Sequence, residues 1–158
     1  MLDLRPMPGE GGFYRESYRC QEIIEPKHLP ARYHSAKSFS TAIYFLITPD
    51  TFSSLHRLPS DEVFHFYLGD PVTMLQLHPD GRAETFTLGQ DIQSGQLLQC
   101  VVPADSWQGM FLNEGDRFAL MGTTVAPGFD FQDIELGDRE ALIEAYPGCA
   151  SLIKRLTK

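Results

Sequence analysis

The stretch LHRLPSDEVFHFYLGD, residues 55–70, contains two alternating runs separated by the turn Pro59-Ser60-Asp61. Because alternate residues of a strand point to the same face, each run presents one face that carries a titratable side chain. The residues of these faces are Ser54, His56 and Leu58 before the turn and Glu62, Phe64 and Phe66 after it. If both faces turn inward, an imidazole and a carboxylate meet in a pocket lined by phenylalanine.

Short apolar or alternating runs recur along the rest of the chain, and each is closed by turn residues. They are residues 39–47, 72–77, 83–88, 97–102, 109–112 (closed by Asn113-Glu114-Gly115) and 118–125. The run 72–77 ends at His78-Pro79-Asp80-Gly81, where Pro presets the turn's φ and Gly tolerates a positive φ. Strands of this length, with turns about every 8–12 residues, are typical of a sandwich or barrel. The sequence therefore predicts an all-β fold.

Helix is predicted mainly at the end of the chain. Asp138 is placed to cap the segment REALIEAY, residues 139–146. A second segment, CASLIKRL, follows Pro147-Gly148 with its apolar residues on one face. We expect one domain over residues 1–158, with a β core over about 10–128 and a helical tail over about 138–157 that packs on it.

Three other stretches have weaker patterns. The glycines before the first strand, in GGFYRES at 11–17, are read as a flexible lead-in. Residues 25–37 lack periodicity and predict a loop, either a lid or a dimer arm. The acidic stretch 130–140 is read as a solvated face in front of the helix.

Composition excludes several classes of function. The chain has 158 residues, 42% of them hydrophobic and 22% charged, which is ordinary for one globular domain. Its formal net charge of −8 argues against nucleic acid and anionic membranes as partners. No apolar run approaches the roughly 20 residues that span a bilayer, and the N-terminus lacks a secretory pattern. Three irregularly spaced cysteines indicate reduced thiols, and we expect a cytoplasmic protein.

Two motifs resemble those of the cupins. The first cupin motif is His-x-His, three or four residues, Glu, six residues, Gly; here His56-x-Leu58 leads through Glu62 to Gly69. The second runs from a Gly through Pro-x-Gly-x-x-His, and here Gly95 leads to PADSWQ, residues 103–108. The strand order is also similar to the cupin jelly roll. The resemblance implies a double-stranded β-helix. The expectation of a homodimer rests partly on the resemblance and partly on a physical motive, because a dimer would cover sheet edges and an apolar outer face.

Four longer segments narrow this resemblance to one branch of the cupins. They are GGFYRESYR, SSLHRLPSDEVFHFYLGDPV, LQCVVPADSWQG and FALMGTTVAPGFDFQDIELGDR, and they look like the cupin-5 proteins, a family of domains of unknown function. Metal-binding cupins hold their ion with three histidines and a glutamate. By position His56 and Glu62 remain, whereas Leu58 and Gln108 replace the other two histidines. Leu has no electron pair to donate and an amide oxygen is a poor ligand for late transition metals.

The chain is also similar to the deoxysugar-nucleotide epimerases, which share the jelly roll. Their base is a pocket histidine in a Leu-His pair like Leu55-His56, and it removes a proton next to a ketone. Their acid is a tyrosine before an Ala-Pro pair. Here Val125 stands at that place, so Tyr44 and Tyr67 are left as candidate replacements.

These observations predict a pocket for a small organic molecule. Its predicted catalytic residues are His56, as base, and Glu62, which orients the imidazole. The predicted ligand-binding residues are Ser54, Phe64, Phe66, Gln108 and Met110. We expect no tightly bound metal or other cofactor, and a weakly held divalent ion at His56, Glu62 and Gln108 stays open. The hypotheses for function are an isomerase- or epimerase-like enzyme acting on a carbonyl or sugar-related ligand, a non-catalytic binding or sensing protein, and a metal-dependent enzyme.

Overall fold

Two antiparallel sheets face each other in this computed structural model, which describes residues 2–113 and 117–158. The strands are β1 (Arg5–Pro6), β2 (Phe13–Arg19), β3 (Ile23–Ile24), β4 (Lys37–Ser38), β5 (Thr41–Ile47), β6 (Phe52–Arg57), β7 (Glu62–Gly69), β8 (Val72–Leu77), β9 (Ala83–Leu88), β10 (Gln99–Val102), β11 (Trp107–Leu112), β12 (Ala119–Val125) and β13 (Glu135–Leu136). Each predicted run coincides with one of them at least in part, and β11 begins two residues before the predicted run 109–112. The turn predicted at Asn113-Glu114-Gly115 lies partly outside the described residues.

The strand order is that of a jelly roll. The first sheet runs β1-β2-β5-β12-β7-β10 and the second runs β13-β6-β11-β8-β9, while β3 and β4 pair separately. Strands β5 to β8 therefore alternate between the sheets, because the chain crosses the sandwich after β5, β6 and β7. The predicted all-β jelly roll is confirmed. Short strands also lie outside the predicted core range, at Arg5–Pro6 and Glu135–Leu136.

An apolar core fills the space between the sheets. Its buried residues come from both sheets and include Phe45, Ile47, Phe64, Phe66, Met74, Met110 and Met121. Burial of such side chains, at about 25 cal/mol per Å² of apolar area, is the main favourable contribution to folding. Phe45 and Phe64 also face the cavity described below, so the core forms one of its walls.

Two short helices cover the outer face of the second sheet. They are α1 (Arg139–Ala145) and α2 (Ala150–Arg155). The Asp138 carboxylate accepts a hydrogen bond from the backbone N–H of Ala141 at 2.9 Å, so it caps α1 as predicted. Leu142 and Ile153 pack with Leu55 in a second apolar cluster. The helical tail thus supplies the cover that one outer face of the sandwich needs.

The loop over residues 25–37 packs against the body of the protein. Tyr33 is buried, and its hydroxyl lies 2.8 Å from the hydroxyl of Ser60. Lys37 is fully buried, and its Nζ donates to both carboxylate oxygens of Asp133 at 2.7 Å and to Asp130 at 3.2 Å. The interpretation of 130–140 as a solvated face is therefore wrong at these two aspartates, which pair with a lysine that is distant in sequence.

Candidate functional site

A cavity of about 160 Å³ lies between the two sheets. Its wall is formed mainly by aromatic and aliphatic side chains, with polar groups in its interior and charged groups around its rim. The lining residues are Arg5, Met7, Glu10, Tyr14, Glu16, Arg19, Thr41, Ile43, Phe45, His56, Leu58, Glu62, Phe64, Thr123, Val125, Phe129, Asp130 and Phe131. A mostly apolar cavity with a few convergent polar groups is the usual anatomy of a small-molecule site.

His56 and Glu62 both line this cavity, although they belong to different sheets. β6 carries His56 in the second sheet and β7 begins with Glu62 in the first, so these strands do not form a hairpin. The turn at residues 58–61 carries the chain across the sandwich, and the two side chains face each other inside. The structure thus places the imidazole and the carboxylate in the same cavity.

The imidazole of His56 is held in one orientation by the backbone. Its Nδ1 lies 2.7 Å from the carbonyl oxygen of Ser54, which only accepts hydrogen bonds, so Nδ1 carries the proton. In the neutral ring Nε2 then holds the lone pair. We expected Glu62 to orient this ring, but the carbonyl of Ser54 does so.

Gln108 connects His56 to Glu62. It stands directly opposite His56 in the pairing of β11 with β6. Its amide nitrogen lies 2.7 Å from His56 Nε2 and donates to Glu62 Oε2 at 3.2 Å. The amide oxygen is buried and has no hydrogen-bond partner among the residues that the structure describes. Gln108 lies behind the two titratable groups and does not line the cavity, so it positions them instead of forming a wall.

The turn before β11 places Gln108. Asp105 occupies the position of the glycine in the second cupin motif and adopts φ 63°, a conformation that Asp tolerates better than most residues. Its backbone N–H donates to the carbonyl of Leu58 at 2.8 Å. This bond ties the two motifs together and fixes the register of Gln108 against His56.

The pKa of Glu62 is raised from 4.5 to about 7. Burial is the main cause, because desolvation penalises the charged form. The His56 ring lowers the pKa, the Glu10 carboxylate raises it, and hydrogen bonds from Thr123 and Gln108 lower it. Glu62 therefore exchanges its proton near neutral pH, as general acids and bases in active sites do.

Glu10 is a polar residue of the site that sequence reasoning missed. One of its carboxylate oxygens accepts from the Ser53 hydroxyl at 2.7 Å, and the other lies 3.7 Å from His56 Nε2. Its backbone carbonyl accepts from the N–H of Ser54 at 2.9 Å. An acidic residue between glycines, in PGEGG, is a weak signal for such a role.

The glycines beside Glu10 shape this loop. Gly11 and Gly12 have φ 108° and 72°, values that favour glycine. A side chain at Gly11 would clash with the carbonyl oxygen of Phe52. The interpretation of these glycines as a flexible lead-in is wrong, because they allow the loop to approach β6 closely and insert Glu10.

Of the predicted ligand-binding residues, Phe64 lines the cavity. Phe66 and Met110 belong to the apolar core and Ser54 is buried, and none of these three is among the described lining residues. A β-bulge displaces Ser54. His56 pairs with Gln108 and Ser53 with Met110, so β6 carries one residue more than β11 over this span. Strand alternation does not anticipate such an extra residue.

The tyrosine in the cavity is not one that we predicted. Tyr44 and Tyr67 are packed edge to face, with ring centroids 6.1 Å apart, and neither lines the cavity. Tyr14 does line it and is buried, with Arg5 lying 5.0 Å above its ring. Within the described residues, the Tyr14 hydroxyl has no hydrogen-bond partner.

The residues present do not fit a firmly held transition metal. Leu58 adds hydrocarbon to the cavity wall at the position of the second cupin histidine. The amide nitrogen of Gln108, which has no lone pair to donate, faces both His56 and Glu62. Among residues 2–113 and 117–158, no three His, Cys, Asp or Glu side chains are grouped to hold an ion.

None of the helices within residues 2–113 and 117–158 is long and apolar enough to cross a bilayer.

Solved structures with this architecture include proteins from distant organisms. Protein SO0799 from Shewanella oneidensis superposes with a TM-score of 0.87 and 35% identity, over 100% of this chain and 93% of that one. A hypothetical protein from Leishmania major gives a TM-score of 0.84 and 31% identity, over 99% and 94%. Oxalate decarboxylase from Bacillus subtilis superposes with a TM-score of 0.56 and 12% identity, over 98% of this chain and 37% of that one. This likeness is one of fold alone.

Sequence comparison agrees with this likeness. The uncharacterized protein YML079W of Saccharomyces cerevisiae is 30% identical over 133 residues, which are 78% of this chain. The chain spans 66% of the length of that curated relative. Residues 1–137 match the family described as Cupin superfamily (DUF985). The chain therefore belongs to this cupin family, Cupin-5.

Proposed function

We propose that this chain is a small-molecule-binding cupin that moves protons in an isomerase- or epimerase-like reaction on a small carbonyl compound. His56 is the base and Glu62 the acid that works with it. The observation that carries this proposal is the placement of His56 Nε2 and Glu62 Oε2 within 2.7 and 3.2 Å of one Gln108 nitrogen, beside an apolar cavity. A neutral imidazole beside a carboxyl group that keeps its proton up to about pH 7 is a matched base and acid.

The proposed reaction begins with removal of a proton from carbon and protonation of the carbonyl oxygen. His56 Nε2 takes the proton from the carbon next to the carbonyl, and the electron pair of that C–H bond forms a carbon–carbon double bond. The carbonyl π pair moves onto oxygen, which takes the proton of Glu62. The products of this half-reaction are an enol, an imidazolium and a carboxylate. Return of a proton from the imidazolium to carbon, and of the enol O–H proton to the Glu62 carboxylate, regenerates a carbonyl compound and the resting pair.

The size of the cavity supports a small ligand. A protein cavity of about 150 Å³ accommodates benzene, and this one measures about 160 Å³. A short carbonyl compound matches that volume. A nucleotide attached to a sugar would have to lie outside the cavity.

Exchange of a substrate proton with solvent tests the proposal. The probes are 2-hydroxy ketones, 2-amino ketones, pentoses and hexoses, each incubated with the protein in D2O at pH 7 and followed by ¹H NMR. We expect the protein to accelerate exchange next to the carbonyl of at least one probe. His56→Ala is expected to abolish that acceleration while ligand binding changes by a few fold.

The matched control is His28→Ala, because His28 is an exposed histidine outside the cavity. With this variant, the probe proton is expected to exchange with solvent as fast as with the wild type. Exchange that persists in His56→Ala, or no acceleration for any probe, contradicts the proposal.

One observation favours a second function, a non-catalytic binding or sensing protein. The lone pair of His56 Nε2 already accepts the amide of Gln108 at 2.7 Å, so a base role requires this contact to loosen. In a binding protein His56 recognises the ligand and the contact with Gln108 holds its ring in place. His56→Ala then weakens affinity and no bound probe exchanges a proton, which is the opposite of the result expected for an enzyme.

We also propose a homodimer that forms through the outer face of the first sheet. The outer-sheet patch consists of Tyr44, Val63, Tyr67 and Val101, which lie on β5, β7 and β10 of that sheet, with β12 between β5 and β7. Tyr67 and Val101 are 43% and 52% exposed, which is unusual for apolar residues clustered on a solvated sheet face. The helical tail covers the opposite side of the sandwich and leaves this patch open.

Light scattering after size exclusion tests the dimer. The wild type is expected at twice the 17.8 kDa of one chain, and the double variant Tyr67→Glu/Val101→Glu at the monomer mass. Ile92→Glu, which is 63% exposed and outside the patch, is expected to remain dimeric. A monomeric wild type or a dimeric double variant contradicts the proposal.

A further inference from the structure

Two carboxylates of the cavity are buried without a cationic partner from the chain. Glu10 and Glu62 are each 7% exposed. In residues 2–113 and 117–158, neither is within ion-pair distance of a lysine or an arginine, and the nearest titratable contact is His56 Nε2 at 3.7 Å from Glu10. The Oε2 atom of Glu10 has no hydrogen-bond partner among these residues. Buried carboxylates are costly unless a positive group or a metal neutralises them.

The other charged groups that line the cavity do not supply that positive charge. Arg19 donates to Glu16 in a bidentate pair at 3.0 and 2.7 Å and lies 3.7 Å from Asp130. Arg5 is exposed and lies over the Tyr14 ring. The lining thus holds two arginines against four acidic groups, Glu10, Glu16, Glu62 and Asp130. With Glu62 in the protonated form that the proposed reaction uses, three carboxylates face two arginines, and the formal surplus among these groups is one negative charge.

Aromatic rings form much of the remaining wall. Phe129 and Phe131 pack edge to face with centroids 5.2 Å apart, and Tyr14 meets Phe131 at 6.0 Å. Phe45 and Phe64 complete this group. The face of an aromatic ring attracts a cation, and rings around a cavity are a recurrent means of recognising quaternary and methylated ammonium groups.

From these contacts we infer that the cavity recognises a small organic cation, whose ammonium group pairs with Glu10 and contacts the aromatic wall. The inference rests on the proposed function in taking the same cavity as the site, and it narrows the substrate class to amine-bearing carbonyl compounds. A metal ion is a poorer match because the donors are not grouped for coordination and the aromatic rings offer no ligands.

Charged probes with neutral counterparts of the same shape provide the test. Choline is compared with 3,3-dimethyl-1-butanol, and aminoacetone with 2-butanone, by titration calorimetry at pH 7.5 with the full chain. In at least one pair the cation is expected to bind about tenfold more tightly or better, as a desolvated cation–π contact and an ion pair together allow. Equal affinities within both pairs, or no binding of either cation, overturn the inference.

Substitutions test which side chain causes the preference for the cation. Glu10→Gln removes one charge without changing shape and is expected to reduce the preference for the cation at least fivefold, while the neutral counterpart binds as before. Glu135→Gln is the matched control, because Glu135 is an exposed glutamate paired with Arg57 outside the cavity. A preference that survives Glu10→Gln unchanged overturns the assignment. So does Mn²⁺ or Zn²⁺ that binds more tightly than the organic cations and displaces them.

The outcome can be separated from that of the proposed function. A cation preference without proton exchange supports this inference and contradicts catalysis. Proton exchange in 2-butanone as fast as in aminoacetone, with equal affinities, supports catalysis and contradicts this inference.

Discussion

Glu62→Gln is expected to stabilise the folded protein at pH 8, although most substitutions of buried residues destabilise. The folded-state pKa of Glu62 is about 7, above the ordinary 4.5 that applies to the unfolded chain. The folded state therefore binds this proton more tightly, and stability falls as pH rises from 4.5 to 7. Above pH 7 the full penalty is present, at about 1.4 kcal/mol per pH unit of difference, or about 3 kcal/mol. Gln removes it because the amide is neutral at every pH.

Urea denaturation at pH 4 and pH 8 measures this difference. At pH 4 the glutamate of the wild type and the glutamine of the variant are both largely neutral in the folded protein. The free energies of unfolding of the two proteins are therefore expected to agree within about 1 kcal/mol. At pH 8 the variant is expected to be more stable by about 3 kcal/mol. Glu135→Gln, at an exposed ion pair, serves as the control and is expected to change little at either pH. A Glu62→Gln variant that is destabilised equally at both pH values contradicts the raised pKa.

The double substitution Leu58→His/Gln108→His is expected to convert the cavity into a metal site. Leu58 lines the cavity beside His56 and Glu62, and Gln108 stands opposite His56. Histidines at both places would restore the set of three histidines and one glutamate with which metal-binding cupins hold their ion. Imidazole nitrogens bind Zn²⁺, Ni²⁺ and Co²⁺ well, whereas the leucine and the amide do not. We expect at least about a hundredfold gain in Co²⁺ affinity over the wild type.

Titration with Co²⁺, followed by visible absorption and calorimetry, measures the gain. The single variants Leu58→His and Gln108→His are the controls and are expected to fall between the wild type and the double variant. Stoichiometric, tightly held metal in the purified wild type contradicts this account. So does a double variant that folds and binds no better than the wild type.

Sequence reasoning predicted the parts of the site that depend on local pattern. Strand alternation placed His56 and Glu62 on inward faces, whereas the sequence pattern did not predict that the turn between them carries the chain into the opposite sheet. Asp138 was recognisable as a helix cap because its side chain acts within three residues. The family was named by resemblance, from four long segments and from the cupin positions that His56, Glu62 and Gly69 keep.

Other parts depend on contacts between distant segments. Glu10 reaches the cavity because a glycine loop approaches β6, and its hydrogen bond to Ser53 spans 43 positions. Lys37 is a surface residue by type, yet it is buried because Asp133, 96 positions away, neutralises it. The bulge that displaces Ser54 is equally invisible to a strict period of two. Such effects arise from tertiary packing, which local pattern does not encode.

NMR titration of the His56–Glu62 pair tests the central claim most directly, because it requires no ligand. In a chain labelled with ¹³C and ¹⁵N, the account predicts a proton on Nδ1 of the neutral His56 ring, a bare Nε2, and a Glu62 carboxyl that titrates with a midpoint near 7. Assignment of both signals uses the His56→Ala and Glu62→Gln variants. A proton on Nε2 together with a Glu62 midpoint near 4.5 would contradict the account.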